Sequence, residues 1–134
     1  MSKKEVDYSL EQFKKALERL SEAVEKAADG DELKQDGAIQ RFEFTFELMW
    51  KTLKIYFDYV GKRVANPRDT LKEAFRQQFF SEESLFLDML DDRNTSTHAY
   101  DFETTRRIFS HIQTRYAPAM KDLLGEIQRR SASS

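Results

Sequence analysis

Apolar side chains recur at steps of three and four along nearly the whole chain, and that rhythm admits helices and little else. Val6, Leu10, Phe13, Leu17, Leu20 and Val24 make one such stripe, and Ile39, Phe42, Phe46, Met49, Leu53, Tyr56 and Val60 a second. At 3.6 residues per turn each set falls along one side of a helix, as in a bundle seam. No stretch alternates apolar and polar residues as a half-buried strand requires. The fold class read from the sequence is all-α, an up-and-down antiparallel helical bundle of about five helices.

Punctuation places the helices. The first is expected over about residues 7–28, with Ser9 and Gln12 at capping-box spacing and Gly30 after it. The second is expected over about residues 36–60, stopped by Gly61. Asn66-Pro67 reads as an N-cap and a proline at the first helical position, opening a short helix with Leu71, Ala74 and Phe75 inside. Ser81 is expected to cap a fourth helix carrying Leu85, Phe86, Met89 and Leu90. Asp101 is expected to cap the last, in which Phe102, Thr105, Phe109, Ile112, Tyr116, Met120, Leu123 and Ile127 keep helical spacing. Pro118 lies inside that pattern and should kink it. Residues 1–6 and 129–134 are expected to fray, and the 134 residues to form one domain.

The second helix carries more apolar surface than one seam covers. Phe44, Trp50, Ile55 and Tyr59 are candidates for a second face, and such a face implies a partner, here a homodimer. Charge is abundant but balanced, 22 basic against 24 acidic residues for a net −2. That argues against a stand-alone, high-affinity nucleic-acid binder, while leaving room for a local basic cleft. Lys51, Lys54, Lys62, Arg63, Arg68, Lys72 and Arg76 cluster around the second and third helices, and Arg106, Arg107 and Arg115 lie on the fifth. Most read as solvated faces; some could line an RNA or partner groove. With no cysteine, disulfides and zinc thiolate sites are excluded. No run of about 18 apolar residues exists to span a membrane, and no secretory apolar core follows the N-terminus, so a cytoplasmic protein is expected. No metal or cofactor is expected either: the two histidines, 13 apart, match no ligand spacing, and there is no glycine-rich phosphate loop.

Chemistry concentrates between Arg93 and Asp101, in Arg93-Asn94-Thr95-Ser96-Thr97-His98-Ala99-Tyr100-Asp101. A neutral His98 can accept a proton from a ribose 2′-hydroxyl and return one to a leaving 5′-oxygen. Arg93 can hold the phosphate and stabilise charge growing on its oxygens. RNA then supplies its own nucleophile and no metal is needed. The bland alternative is a loop histidine that caps the last helix or packs on Tyr100. His111, without a flanking motif, reads as structural or solvated. Asp91 and Asp92 fall in the expected last turn of the fourth helix, opposing its dipole at about 0.3–1 kcal/mol each, and read as solvated surface.

These residues resemble a known family. Arg93-Asn94-x3-His98-x-Tyr100 is similar to the signature of HEPN domains, small all-α proteins. Residues 36–51, from Asp36-Gly37-Ala38-Ile39 to Trp50-Lys51, resemble the branch called nucleotidyltransferase substrate-binding proteins, as do Asn66-Pro67-Arg68 and Glu73-Ala74-Phe75. The resemblance implies an up-and-down bundle that dimerises and binds a minimal nucleotidyltransferase. In related HEPN proteins it implies a metal-independent ribonuclease toxin whose antitoxin transfers AMP to the tyrosine of His-x-Tyr. By position, Arg93 and His98 would be catalytic, Tyr100 the modified residue and Asn94 accessory. Glu47 and Lys51 could orient the site, or form an ordinary surface pair worth a few tenths of a kcal/mol. The polar Thr95-Ser96-Thr97 departs from the toxin branch, which often has apolar residues there, and points to a sister branch. The alternative function is a non-catalytic substrate-binding subunit of that nucleotidyltransferase.

Overall fold

The structure, a computed structural model, describes residues 2–98 and 101–134. Six α-helices follow one another: α1 (Lys3–Lys26), α2 (Glu32–Tyr59), α3 (Pro67–Arg76), α4 (Glu83–Ser96), α5 (Phe102–His111) and α6 (Ala117–Ala132). A 3-10 turn, Ala27–Asp29, closes α1, and a π-helical turn, Ile112–Tyr116, joins α5 to α6 without a break. The described residues therefore make five helical rods and no strand. α1 packs along the length of α2, α6 returns against α1, and α3, α4 and α5 lie against α2.

The two stripes meet as expected. Phe13 and Leu20 of α1 and Phe42, Phe46, Met49, Leu53 and Phe57 of α2 are fully buried, with Leu71, Met89, Ile108, Ile112 and Tyr116 filling the space around them. Burial of each such side chain contributes roughly 1.5–3 kcal/mol. The ring of Phe79 stands edge-on to both Tyr56 and Phe57, closing the end of the bundle where α2 stops.

Several boundaries differ from the sequence expectation, each for a local reason. The capping box of α1 is Ser2 with Glu5, so the helix starts at Lys3 and Val6 is fully buried. Ser9, expected to cap, is instead buried in the α1–α2 seam, its Oγ 2.6 Å from Thr52 Oγ1. Residues expected to fray are thus helical at this end, and at the other α6 continues to Ala132 with Ser131 buried. Asp31 caps α2 by accepting from the Lys34 N–H at 2.9 Å, one turn before the expected start. Gly30 and Gly61 stop their helices in the left-handed region, at φ 87° and 91°. Asn66 caps α3 as read, but Glu82, not Ser81, occupies the N-cap of α4. Phe75 and Phe102 lie outside the core: Phe75 faces Phe80 on the surface, and Phe102 lies under the Arg106 guanidinium. Pro118 lies inside this continuous rod, directly after the π turn, so the change from α to π geometry falls where the proline removes a backbone donor.

Candidate active site

α4 continues to Ser96, so Arg93 and Asn94 lie in its last turns, and His98 follows in the turn beyond. The His98 N–H donates to the Thr95 carbonyl at 3.0 Å, and its exposed imidazole has no hydrogen bond among the described residues. Arg93 turns toward α2. Its Nη2 donates to Glu47 Oε2 at 2.6 Å, its Nη1 to Asn94 Oδ1 at 3.2 Å, and the guanidinium lies 5.6 Å from the Phe46 ring centroid. The side chain keeps 27% of its surface exposed, enough for an edge to meet a ligand.

Glu47 is the hub of this arrangement. Besides Arg93 it accepts from Trp50 Nε1 at 3.1 Å and pairs with Lys51 at 3.1 Å. Partial burial pushes its carboxyl up, but the Trp50 and Lys51 hydrogen bonds and the Lys51 and Arg93 charges outweigh that and hold it below the usual range. Glu47 and Lys51 are therefore an i,i+4 pair that also reaches Arg93. Four of the six expected site residues (Arg93, Asn94, Glu47 and Lys51) form one connected cluster, with His98 five positions along the chain from Arg93. Tyr100, the sixth, lies outside the described residues.

The end of α4 is tied to α2 a second time. Ser96 donates to Glu43, one turn before Glu47. Beside this contact is a recess of about 180 Å³ lined by Asp36, Gln40, Glu43, Ser96 and Thr105.

Asp92 departs from the solvated surface position expected of it. The longer α4 places it inside the helix rather than at its end, and it is buried, not solvated. Its Oδ1 accepts from Arg107 at 3.1 Å, and its Oδ2 from the Tyr116 hydroxyl at 2.6 Å with His111 Nδ1 at 2.8 Å. His111 is accordingly structural, as one of the two readings held. Burial pushes the Asp92 carboxyl up, yet the bonds from His111, Tyr116 and Arg107 and the Arg107 charge bring it below the usual range. The same burial and the adjacent Asp92 push the Tyr116 phenol well above its ordinary value. The π turn makes this possible. In a straight α-helix residues five apart point about 140° from one another; closing the i→i+5 ring stacks them, so His111 and Tyr116 reach one carboxylate oxygen. Sequence periodicity carries no sign of this, because the π turn shifts the phase only locally.

Among the described residues no group of three or more His, Asp or Glu side chains is arranged to hold a metal. No helix there is long and apolar enough to cross a membrane.

Residues 8–129 match the family model described as nucleotidyltransferase substrate binding protein like. The chain belongs to that family. The substrate-binding-protein fold recurs in a crystal structure from Thermus thermophilus, 33% identical, with a TM-score of 0.73 over 89% of this chain and 98% of that one. It recurs also in HI0074 of Haemophilus influenzae, described as revealing the fold of a substrate binding domain of a nucleotidyltransferase. There the TM-score is 0.79 over the same shares, and the 24% identity speaks to fold alone. A probable ribonuclease HepT of Haemophilus influenzae is 34% identical over 83 residues. That alignment covers 57% of this chain and 56% of the relative, so the match spans little more than half of either protein.

Proposed function

We propose that this substrate-binding-family protein is a metal-independent ribonuclease, neutralised as a toxin by a minimal nucleotidyltransferase. The observation that carries the reading is the setting of Arg93. Glu47 and Asn94 fix its guanidinium at the end of α4, part of it open to solvent, five residues from an exposed histidine free of side-chain partners among the described residues. A cation held in place before the substrate arrives stabilises developing charge without reorganising.

In the proposed reaction neutral His98 takes the 2′-hydroxyl proton. The 2′-oxygen attacks phosphorus, the bond to the 5′-oxygen breaks, and the imidazolium returns a proton to that oxygen. A cyclic phosphate and a 5′-hydroxyl result. Arg93 neutralises charge on the non-bridging oxygens, and Glu47, Lys51 and Asn94 keep it aimed. Tyr100 is the proposed acceptor of AMP: its adduct would set a phosphate beside Arg93 and occupy the ribose position. The likeness to a probable ribonuclease supports the activity, and membership of the substrate-binding family supports the nucleotidyltransferase as partner. We place the homodimer seam on α2, where Phe44 is 62% exposed while Trp50, Ile55 and Tyr59 only partly cover the core.

One observation favours the second reading, a non-catalytic docking subunit: Glu47 already pairs with Arg93, which reduces the charge free for RNA. Expression of the wild type and of His98→Ala, without the partner, separates the two. The ribonuclease reading expects growth arrest and RNA decay only with the wild type. Identical, healthy growth of both would leave the docking subunit.

A further inference from the structure

We propose that the recess between the second half of α1 and the start of α2 is a phosphate-binding subsite for single-stranded RNA. The proposal rests on the ribonuclease reading and names a second place where that substrate is gripped. The recess encloses about 200 Å³. Arg19, Ala23 and Lys26 face it from α1, at steps of four and three; Lys34, Gly37 and Arg41 face it from α2, at steps of three and four. Cations rim it and the two smallest residues lie between them, so a ligand can approach both backbones. Glu22 also lines it, and Lys34 is already paired with Asp29 at 2.6 Å. Arg19, Lys26 and Arg41 are exposed, and no described carboxylate lies within ion-pairing distance of them. Other exposed cations, such as Lys4, Lys14 and Lys121, also lack a carboxylate partner among the described residues; what sets Arg19, Lys26 and Arg41 apart is that they rim one recess. Three uncompensated cations around one recess, in a chain of net charge −2, mark a site for an anion.

Gly37 shapes the floor of the recess. A glycine inside a helix costs stability relative to alanine. Packing does not require it here, since a Cβ at Gly37 would meet nothing within 4 Å. The glycine keeps the recess open.

RNA is the class the position favours. The recess occupies one flank of α2, while the opposite flank of the same turns (Asp36, Gln40 and Glu43) meets Ser96, two residues before His98. Exposed Leu33 lies between Gly37 and Arg41 on the recess side of α2 and Asp36 and Gln40 on the other. A strand leaving the His98 site can lie across this ridge and set a following phosphate among Arg19, Lys26 and Arg41, where arginine forks match phosphate oxygens. Such a path bends around one helix, which a flexible single strand can follow and a duplex cannot.

The test uses the full chain carrying His98→Ala, so that RNA survives, and a short fluorescein-labelled single-stranded oligoribonucleotide followed by anisotropy at rising KCl. Adding Arg19→Ala, Lys26→Ala and Arg41→Ala together should weaken binding about tenfold or more. It should also flatten the slope of log affinity against log salt by up to about 2, near 0.7 per lost phosphate contact. Removing Lys4, Lys14 and Lys121 instead should do neither. Gly37→Gln, which keeps every charge and fills the recess, should weaken RNA binding while raising the melting temperature. An unchanged slope in the triple variant, or an equal loss in the Lys4, Lys14 and Lys121 control, overturns the subsite. So does loss of co-purification with the nucleotidyltransferase while RNA affinity holds, which would assign the recess to a protein. Cleavage is read separately on the unmodified chain: binding that behaves as described without cleavage sinks the ribonuclease reading, not the recess.

Discussion

At the scale of single residues, two carboxylates organise the region around Arg93, and only one was visible in the sequence. Glu47 stood one turn from Lys51 in a family-like segment, so its link to the site could be anticipated. Asp92 looked like a helix-end surface residue because nothing local announced that α4 runs on to Ser96. Its burial with three donors implies a large effect. Asp92→Ala should cost about 3 kcal/mol, leaving the Tyr116 hydroxyl buried and unpaired. Calorimetry should show that as a fall in melting temperature of roughly 10 °C. The pH dependence follows from the lowered carboxyl. A depressed folded-state value gives stability that is present above the unfolded carboxylate value of about 3.9 and lost as pH falls through the folded one. The wild type should therefore lose melting temperature below about pH 4, and Asp92→Asn should show a shallower fall there from a lower start. His111→Ala should lower stability through Asp92 while leaving any RNA cleavage rate nearly unchanged, because the proposed chemistry belongs to His98.

At the scale of elements, periodicity located the rods well and their ends less well. The stripes of α1 and α2, the Asn66-Pro67 start and the Gly30 and Gly61 stops were all legible, because each depends on a few neighbouring residues. Ser2, Asp31 and Glu82 do not stand out as caps, because other polar residues with equal local claims lie nearby. Pro118 marked a disturbance near the π turn, but nothing local gave its form. The turn exists because the tertiary structure rewards bringing His111 and Tyr116 to one carboxylate, a gain no short window contains. Tyr116→Phe should keep the ring, which stacks on Phe42 with centroids 5.6 Å apart, and lose only the hydroxyl bond, for about 1–2 kcal/mol. Deleting Lys121, which lies in regular helix beyond the π turn, should cost far more: it rotates the rest of α6 by about 100° against a core that holds Leu123 and Ile127. Denaturant titration of that deletion should show a broad, weakly cooperative transition where the wild type shows a sharp one.

At the scale of the whole molecule, the fold and family follow from the chain, while the proposed activity depends on partners the single chain does not include. A twofold seam on α2 should give twice the monomer mass by light scattering at micromolar concentration, and Phe44→Glu should shift the sample toward monomer without unfolding it, since Phe44 is outside the core. Co-expression with the cognate nucleotidyltransferase should add increments of AMP mass to the wild type and none to Tyr100→Phe. The central claim is narrower than either: Arg93 and His98 cleave RNA without a metal. Purified protein incubated with single-stranded RNA in excess EDTA tests it most directly, with products resolved on a gel. The account predicts cleavage that leaves cyclic-phosphate and 5′-hydroxyl ends, slowed about 10²–10⁴-fold in Arg93→Ala and in His98→Ala. No cleavage by the folded wild type, or cleavage equally fast in His98→Ala, would contradict it.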